Sequence, residues 1–216
     1  PVPEYIRLIA DGRYSDAYMV NWKSNVFPGI LGRTCDRPCE PACRRGRVED
    51  GTSKEPVAIC RLKRVAADNK NVDAIAARMP VVPKKKNGKR VALIGAGPAS
   101  LTVARDLLPL GYQIDIYDEQ LEGGGMMLSQ IPAFRLPIGV LRQEVNYILE
   151  LGVVCTFSHY VDSLKAVLEQ SYDAVFVGTG APRGKDLENL PGRQEAAAHI
   201  HIGIDWLASV AFEHVS

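Results

Sequence analysis

The chain has 216 residues, 46% of them hydrophobic, with 26 lysines and arginines against 25 aspartates and glutamates for a net charge of +1. This length and apolar content suffice for one domain plus a smaller appendage, and the near-zero charge argues against nucleic acid as a partner. No apolar run approaches membrane-spanning length and there is no secretory signal, so a cytoplasmic chain without membrane insertion is expected.

Residues 4–24 read as two short helices. Tyr5, Ile6, Leu8 and Ile9 lie on the first, Asp11-Gly12 breaks it, and Ser15 is a candidate N-cap for a second over Asp16 to Lys23. Asn25 to Arg33 contains Pro28, Gly29 and Gly32 and reads as loop. Cys35, Cys39 and Cys43 follow at intervals of four, and Pro38 and Pro41 prevent one continuous helix, so the thiols can converge from turns. Cys60 is the natural fourth, near the start of a helix with Pro56 at its first turn and Leu62, Val65 and Ala66 on its inner face.

Four of the five cysteines fall within 26 positions of a chain without a secretory signal, which favours metal ligation over disulfides. Structural zinc usually takes paired Cys-x2-Cys knuckles, which are missing here, whereas an iron–sulfur cluster accepts wider spacing. Arg37, Arg44, Arg45 and Arg47 crowd the same stretch and suit a site of net negative charge. An iron–sulfur cluster is the preferred reading, with zinc as the alternative. Cys155, in Val153-Val154-Cys155, reads as a small apolar strand residue.

Lys84-Lys85-Lys86 through Lys89 looks like a solvated linker into the stretch that organises the remainder, residues 90–118. Val91 to Ile94 is an all-apolar run suited to a parallel strand buried on both faces, and it ends in Gly95-Ala96-Gly97. Leu101, Ala104, Leu107 and Leu108 recur at helical spacing until Pro109 and Gly111, after which Gln113 to Tyr117 resumes strand character and ends at Asp118. This is the layout of a dinucleotide-binding βαβ unit. Gly95 permits the tight turn, Gly97 lets a pyrophosphate approach the helix N-terminus, and Asp118 can accept hydrogen bonds from a ribose. Ser100 stands where the pattern has its third glycine.

Further on, Ile138 to Leu151 reads as an amphipathic helix ending at Gly152, Val153 to Phe157 as a strand, and Leu164 to Leu168 as a short helix. Tyr172 to Val177 reads as a buried strand whose exit, Gly178-Thr179-Gly180, lies at the carboxyl end of the sheet, where cofactors bind in open α/β folds. His199 and His201 alternate like strand neighbours and are read as structural, and Asp205 to Val210 as a terminal helix.

At this point the chain resembles a family. Gly32-Arg33-Thr34-Cys35 with Cys39 and Cys43, Pro56-Val57-Ala58-Ile59-Cys60-Arg61-Leu62-Lys63-Arg64, Gly95 to Ser100, Gly124-Gly125, Ile131 to Pro137 and Gly178 to Ala181 are similar to the iron–sulfur flavoproteins typified by the glutamate synthase small subunit and the N-terminal part of dihydropyrimidine dehydrogenase. The resemblance covers nearly the whole chain. It implies an α/β chain with an N-terminal all-helical [4Fe-4S] domain over residues 1–83, followed by the first portion of a Rossmann-like FAD-binding domain over 84–216. The family's FAD contacts fall on Gly95, Ala96, Gly97, Pro98, Ala99 and Asp118, on Gly124, Gly125 and Met126 beside the flavin, and on Arg135 and Val161; Gly178 and Gly180 complete the cofactor set. The cluster ligands are Cys35, Cys39, Cys43 and Cys60, the last about one helical turn before the place where some members use a glutamine. Family members usually have a second cluster, from cysteines upstream.

The resemblance further implies an electron-transfer subunit that passes electrons between NAD(P)(H), FAD and the cluster, to or from other redox subunits. No catalytic side chain is named. Since the first residue is Pro1, and since the family continues into a nicotinamide domain, a longer parent chain is expected to supply the NAD(P) site, and residues 1–216 alone should oxidise neither NADH nor NADPH efficiently. The alternatives are a non-catalytic assembly subunit with structural FAD and metal, or a module that binds NAD and zinc.

Overall fold

The computed structural model describes residues 1–47, 55–187 and 189–212. These form two compact units, Pro1–Met79 and a second that begins at Pro80. No helix among the described residues is long and apolar enough to cross a membrane.

The first unit is helical among its described residues. Helices α1 (Val2–Ala10) and α2 (Tyr14–Asn25) pack on α4 (Ile59–Asp68), with Tyr5, Ala17 and Ala66 fully buried between them and Ile6, Leu62 and Val20 around them. Ser15 is not the expected N-cap. Arg13 occupies that position, and the Ser15 hydroxyl instead accepts the Asn71 N–H at 3.0 Å, which ties α2 to the start of α5 (Val72–Ala76). The stretch 25–33 is not the loop its prolines and glycines suggest, since Pro28–Thr34 forms helix α3. Pro28 sits in its first turn, where a missing N–H costs nothing. Gly32 is helical for a packing reason: a Cβ there would lie 2.9 Å from the Arg64 backbone, so the glycine lets α3 and α4 touch. Arg33 and Arg64 both hold Asp68, at 2.6 and 3.2 Å, across and along the same contact.

The second unit is α/β around a four-stranded parallel sheet. Its strands are β1 (Arg90–Ile94), β2 (Gln113–Tyr117), β3 (Val154–Thr156) and β4 (Ala174–Val177), in the order β3-β2-β1-β4. Helices α6 (Pro98–Leu107), α7 (Met126–Ser129) and α8 (Ile138–Leu149) lie between β1 and β3, α9 (Leu164–Leu168) precedes β4, and α10 (Gly203–Ala211) comes last. The chain steps outward from β1 to β2 to β3 and then returns to the far side of β1. With right-handed crossovers, this reversal puts α9 on the face opposite α6 and α8. The two faces differ accordingly. Val91, Leu93, Ile114 and Ile116 make one face wholly apolar and almost completely buried. On the other, Ala92 and Ile94 pack under Val167 of α9 together with Tyr117, Tyr172 and Val175.

β4 is half-buried rather than the buried strand its apolar run predicts, because among the described residues it pairs only with β1 and forms the sheet edge. His199 and His201 do not alternate on a strand either: residues 197–199 form a 3-10 turn and His201 is exposed.

Candidate functional site

The strand order reverses at β1, so the connections leaving β1 and β4 diverge and open a crevice beyond their carboxyl ends. Three glycine loops meet there. Gly95 leaves β1 with φ +95°, a conformation that suits glycine alone, and a Cβ on it would fall 2.6 Å from the carbonyl oxygen of Gly178. The Gly178 N–H in turn donates to Ile94 O at 2.8 Å. Gly125, at φ +52°, approaches so closely that a Cβ on it would lie 2.8 Å from the Cα of Gly97, and the Gly124 N–H donates to Ala96 O at 2.9 Å. Gly97 caps the N-terminus of α6 with ordinary torsions, and a Cβ there would meet only Gly178 O, at 3.9 Å. Among the described residues, no contact requires Gly97 to be glycine.

Asp118 pins this arrangement from the end of β2. One carboxylate oxygen accepts the Ala96 N–H and the other accepts the Gln120 N–H at 2.8 Å. The carboxylate expected to receive a ribose thus also orients the amide at the centre of the glycine loop. Ser100, at the third-glycine position, is fully buried, and a Cβ on Gly178 would collide with its Oγ. Helix α6 and the end of β4 accommodate the extra hydroxymethyl because residue 178 has no side chain.

The cleft so formed has a volume of about 330 Å³, at the small end of ligand sites. Gly95, Asp118, Gly125, Met126 and Val161 line it, together with Thr179 between Gly178 and Gly180. Ala96 is buried behind it, and Gly97, Pro98 and Ala99 form the adjoining turn into α6. Arg135 is exposed and is not among the lining residues; its backbone N–H closes a turn on Pro132 O at 2.9 Å. Sequence reasoning missed Tyr117, Ser129, His159 and Tyr160, which also line the cleft. Tyr117 and the pair His159-Tyr160 directly flank Asp118 and Val161 in the sequence, which was the signal available. A second hollow of about 320 Å³ shares Tyr117, His159, Tyr160 and Val161 with the first.

The other candidate site lies in the first unit. Helix α3 ends at Thr34, Cys35 follows as its C-cap in an extended conformation, and the turns from Arg37 to Cys43 carry the next two thiols. The α3–α4 contact allowed by Gly32 brings Cys60, 5% exposed, beneath the last turn of α3, where its thiol donates to Leu31 O and Gly32 O at 3.4 and 3.5 Å. Burial pushes the Cys60 pKa up, and the neighbouring Cys35 pushes it the same way, while Lys63 and Arg37 pull against both. The Cys43 pKa is held down by hydrogen bonding to the Val57, Arg45 and Gly46 backbones, with the Arg45 charge adding to the effect. Tyr5, pushed up to about 12 mainly by burial, also feels Cys39 and Cys60. Cys60 therefore has Cys35 nearby, and Tyr5 lies near both Cys39 and Cys60. Among the described residues, however, no three Cys, His, Asp or Glu side chains lie close enough to hold a metal ion as they stand. The fit to a cluster rests on donor type and placement: one thiol buried on α4, one at the end of α3 and two on the turns that follow, beside Arg37, Arg44, Arg45 and Arg47.

Comparison with known proteins bears on both sites. Residues 1–75 match the model of a family described as dihydropyrimidine dehydrogenase domain II, 4Fe-4S cluster. The chain is 36% identical over 203 residues to the NADP(+)-dependent formate dehydrogenase subunit beta of Moorella thermoacetica, covering 83% of this chain and 28% of that one. It is 36% identical over 206 residues to the NAD-dependent dihydropyrimidine dehydrogenase subunit PreT homolog of Salmonella typhi, covering 94% and 48%. It is 30% identical over 208 residues to the glutamate synthase [NADPH] small chain of Bacillus subtilis (strain 168), covering 95% and 40%. The chain thus spans less than half the length of each of these relatives.

Proposed function

We propose that the chain is an electron-transfer flavoprotein subunit: residues 1–75 match the dihydropyrimidine dehydrogenase domain II, 4Fe-4S cluster, family, and the chain is similar over most of its length to oxidoreductase subunits that include the glutamate synthase small chain. FAD occupies the cleft at the ends of β1, β2 and β4. A single [4Fe-4S] cluster is held by Cys35, Cys39, Cys43 and Cys60. With both groups bound, the chain would carry electrons between NAD(P)H, FAD and the cluster, and to or from redox subunits of a larger complex that would dock through the face around Cys35 to Arg47.

The observation that carries this reading is the interlock of the glycine loops at 95–97, 123–125 and 178–180 around one cleft with Asp118 at its wall. Nothing among the described residues requires a bare Cα at Gly97, which is what a closely approaching pyrophosphate would require. The amides at the start of α6 and the positive end of that helix would receive the pyrophosphate. Asp118 would accept a ribose hydroxyl on the lone pairs that its two backbone contacts leave free. Met126 and the Gly124-Gly125 turn would flank the flavin and Val161 would meet the adenine through its backbone, whereas Arg135 stands exposed outside the cleft lining. Bound in this way, FAD supplies both two-electron exchange with a nicotinamide and one-electron exchange with a cluster. The one strand–glycine loop–helix phosphate site among the described residues is assigned to FAD, and no nicotinamide site is assigned among them.

The visible spectrum of the purified chain tests the assignment. A flavin band together with a broad iron–sulfur absorbance, and release of FAD on acid extraction, is the expected result. A colourless protein carrying zinc, or one that releases NAD, would overturn it.

A further inference from the structure

The polar residues on the α9 face of the sheet form one connected set that the cofactor reading does not use. The Asp115 carboxylate accepts from Arg90 Nη2 at 2.6 Å and from the Tyr172 hydroxyl at 2.8 Å. The hydroxyls of Tyr172 and Tyr117 lie 2.8 Å apart. Tyr172 has one proton and gives it to Asp115, so Tyr117 is the donor in that pair. The Arg90 guanidinium also lies over the Tyr172 ring, 4.6 Å from its centre. Tyr172 is thereby held at its hydroxyl and on its face. Its pKa is pushed well up, by burial first and by these hydrogen bonds next, so it remains a neutral donor.

The chain of donors runs from Tyr117 through Tyr172 to Asp115, and Tyr117 is its only member that lines the cleft. The Tyr117 ring meets the His159 ring at a centre-to-centre distance of 5.5 Å and a tilt of 48°, making a continuous aromatic wall. That wall borders both the main cleft and the adjoining hollow. It stands one residue from Asp118, the carboxylate assigned to the ribose. An unanchored tyrosine at a strand end would sample several rotamers, and fixing it before binding removes that entropy cost from the ligand.

Resting on the assignment of a dinucleotide to this cleft, we propose that Tyr117, with His159 beside it, is the platform on which the base at the adenosine end stacks, and that Tyr172, Asp115 and Arg90 are positioning residues that hold it there. Stacking of a base on an aromatic side chain is sequence-tolerant and needs no hydrogen-bonding edge, so this wall would recognise the adenosine half by its flat ring and leave discrimination to Asp118 and the Val161 backbone.

The experiment compares affinities of the 216-residue protein for FAD, for ADP and for ribose 5-diphosphate, which is ADP without its base. The wild type should bind ADP at least about tenfold more tightly than the baseless compound. In Tyr117→Leu that preference should fall to about twofold or less, with affinity for ribose 5-diphosphate unchanged. Tyr172→Phe and Tyr117→Phe, which keep both rings, should each weaken ADP by a few-fold, and the double variant should lose no more than either single one, because each breaks the same hydrogen bond. If Tyr117→Leu does not fold by circular dichroism, the two phenylalanine variants decide the question alone. A wild type that prefers ADP and a Tyr117→Leu variant that keeps the preference would overturn the platform while leaving the cofactor assignment standing. A wild type that binds neither FAD nor ADP would overturn both.

Discussion

In the second unit the candidate cleft is walled by backbone that is already locked: Gly95 against Gly178, Gly97 against Gly125, and Ala96 held by Asp118. In the first unit the candidate site consists of four side chains: Cys60 buried on α4, Cys35 at the end of α3, and Cys39 and Cys43 on turns. The proposed ligands would account for the difference. A pyrophosphate is recognised by N–H groups and a helix end, which the chain can present with no ligand bound. Thiolates repel one another and are brought together by the positive metal they bind, so the last part of such a site is organised by its occupant.

The strongest test of that contrast removes the buried thiol. Cys60→Ala should abolish or degrade the four-iron cluster, measured as iron and acid-labile sulfide per chain, while bound FAD stays at the wild-type level. Full retention of a four-iron cluster would identify another ligand. Cys155→Ala should change neither cofactor, since that residue sits on β3 in the other unit and its pKa is raised by burial alone.

The next test breaks the cleft. Gly178→Ala forces a Cβ into Ser100 Oγ and the Phe176 ring, and overpacking of this kind costs about 1–3 kcal/mol. Adding Ser100→Gly should recover part of that loss, with a coupling of about 1 kcal/mol in urea unfolding. Strict additivity would show that the two residues do not share the space. Cluster content should stay constant throughout the cycle.

Thiol chemistry sharpens the first half of the comparison. In protein stripped of iron, Cys43 should alkylate with iodoacetamide faster than Cys60 at neutral pH, read by peptide mass spectrometry. Backbone hydrogen bonds lower the Cys43 pKa and burial raises that of Cys60. Because the folded pKa of Cys43 is depressed, its thiolate stabilises the folded loop at alkaline pH, and this contribution is lost as pH falls through that lowered pKa. Cys60 works in the opposite direction: its contribution is present below the ordinary thiol pKa and is lost as pH rises through its raised value. Equal alkylation rates would show that the two thiols do not differ in this way.

The smallest expected effect is at the Arg142–Glu122 pair, bidentate at 2.8 Å but exposed on both sides. Glu122→Gln should cost well under about 1 kcal/mol, since exposed pairs are screened by water and salt. The Arg142 hydrogen bonds hold the Glu122 pKa down, so its small contribution exists at neutral pH and disappears as pH falls through that depressed value. A larger loss in urea unfolding would mean that the pair also fixes the loop leading into Gly124-Gly125.

Much of this was legible in the sequence because it is local. The strand–glycine–helix–strand–Asp118 order, the short α9 and the amphipathic α8 follow from periodicity and from the torsions that Gly95 alone can adopt. The spacing of Cys35, Cys39 and Cys43, with Cys60 at the start of a helix, was likewise visible as a set of donors. What the sequence obscured were features whose cause lies far along the chain. Residues 28–34 look like loop, and they are helical because Gly32 meets Arg64. Ser15 looks like a cap, and it is spent on Asn71. Val175 and Phe176 look like a buried strand, yet they sit at a sheet edge because the chain reverses direction at β1. The aromatic wall of the cleft joins Tyr117 to His159 and, through its hydroxyl, to Tyr172, 55 positions away. Periodicity reports which face of an element is apolar; only the packed structure decides which distant backbone or side chain that face will meet.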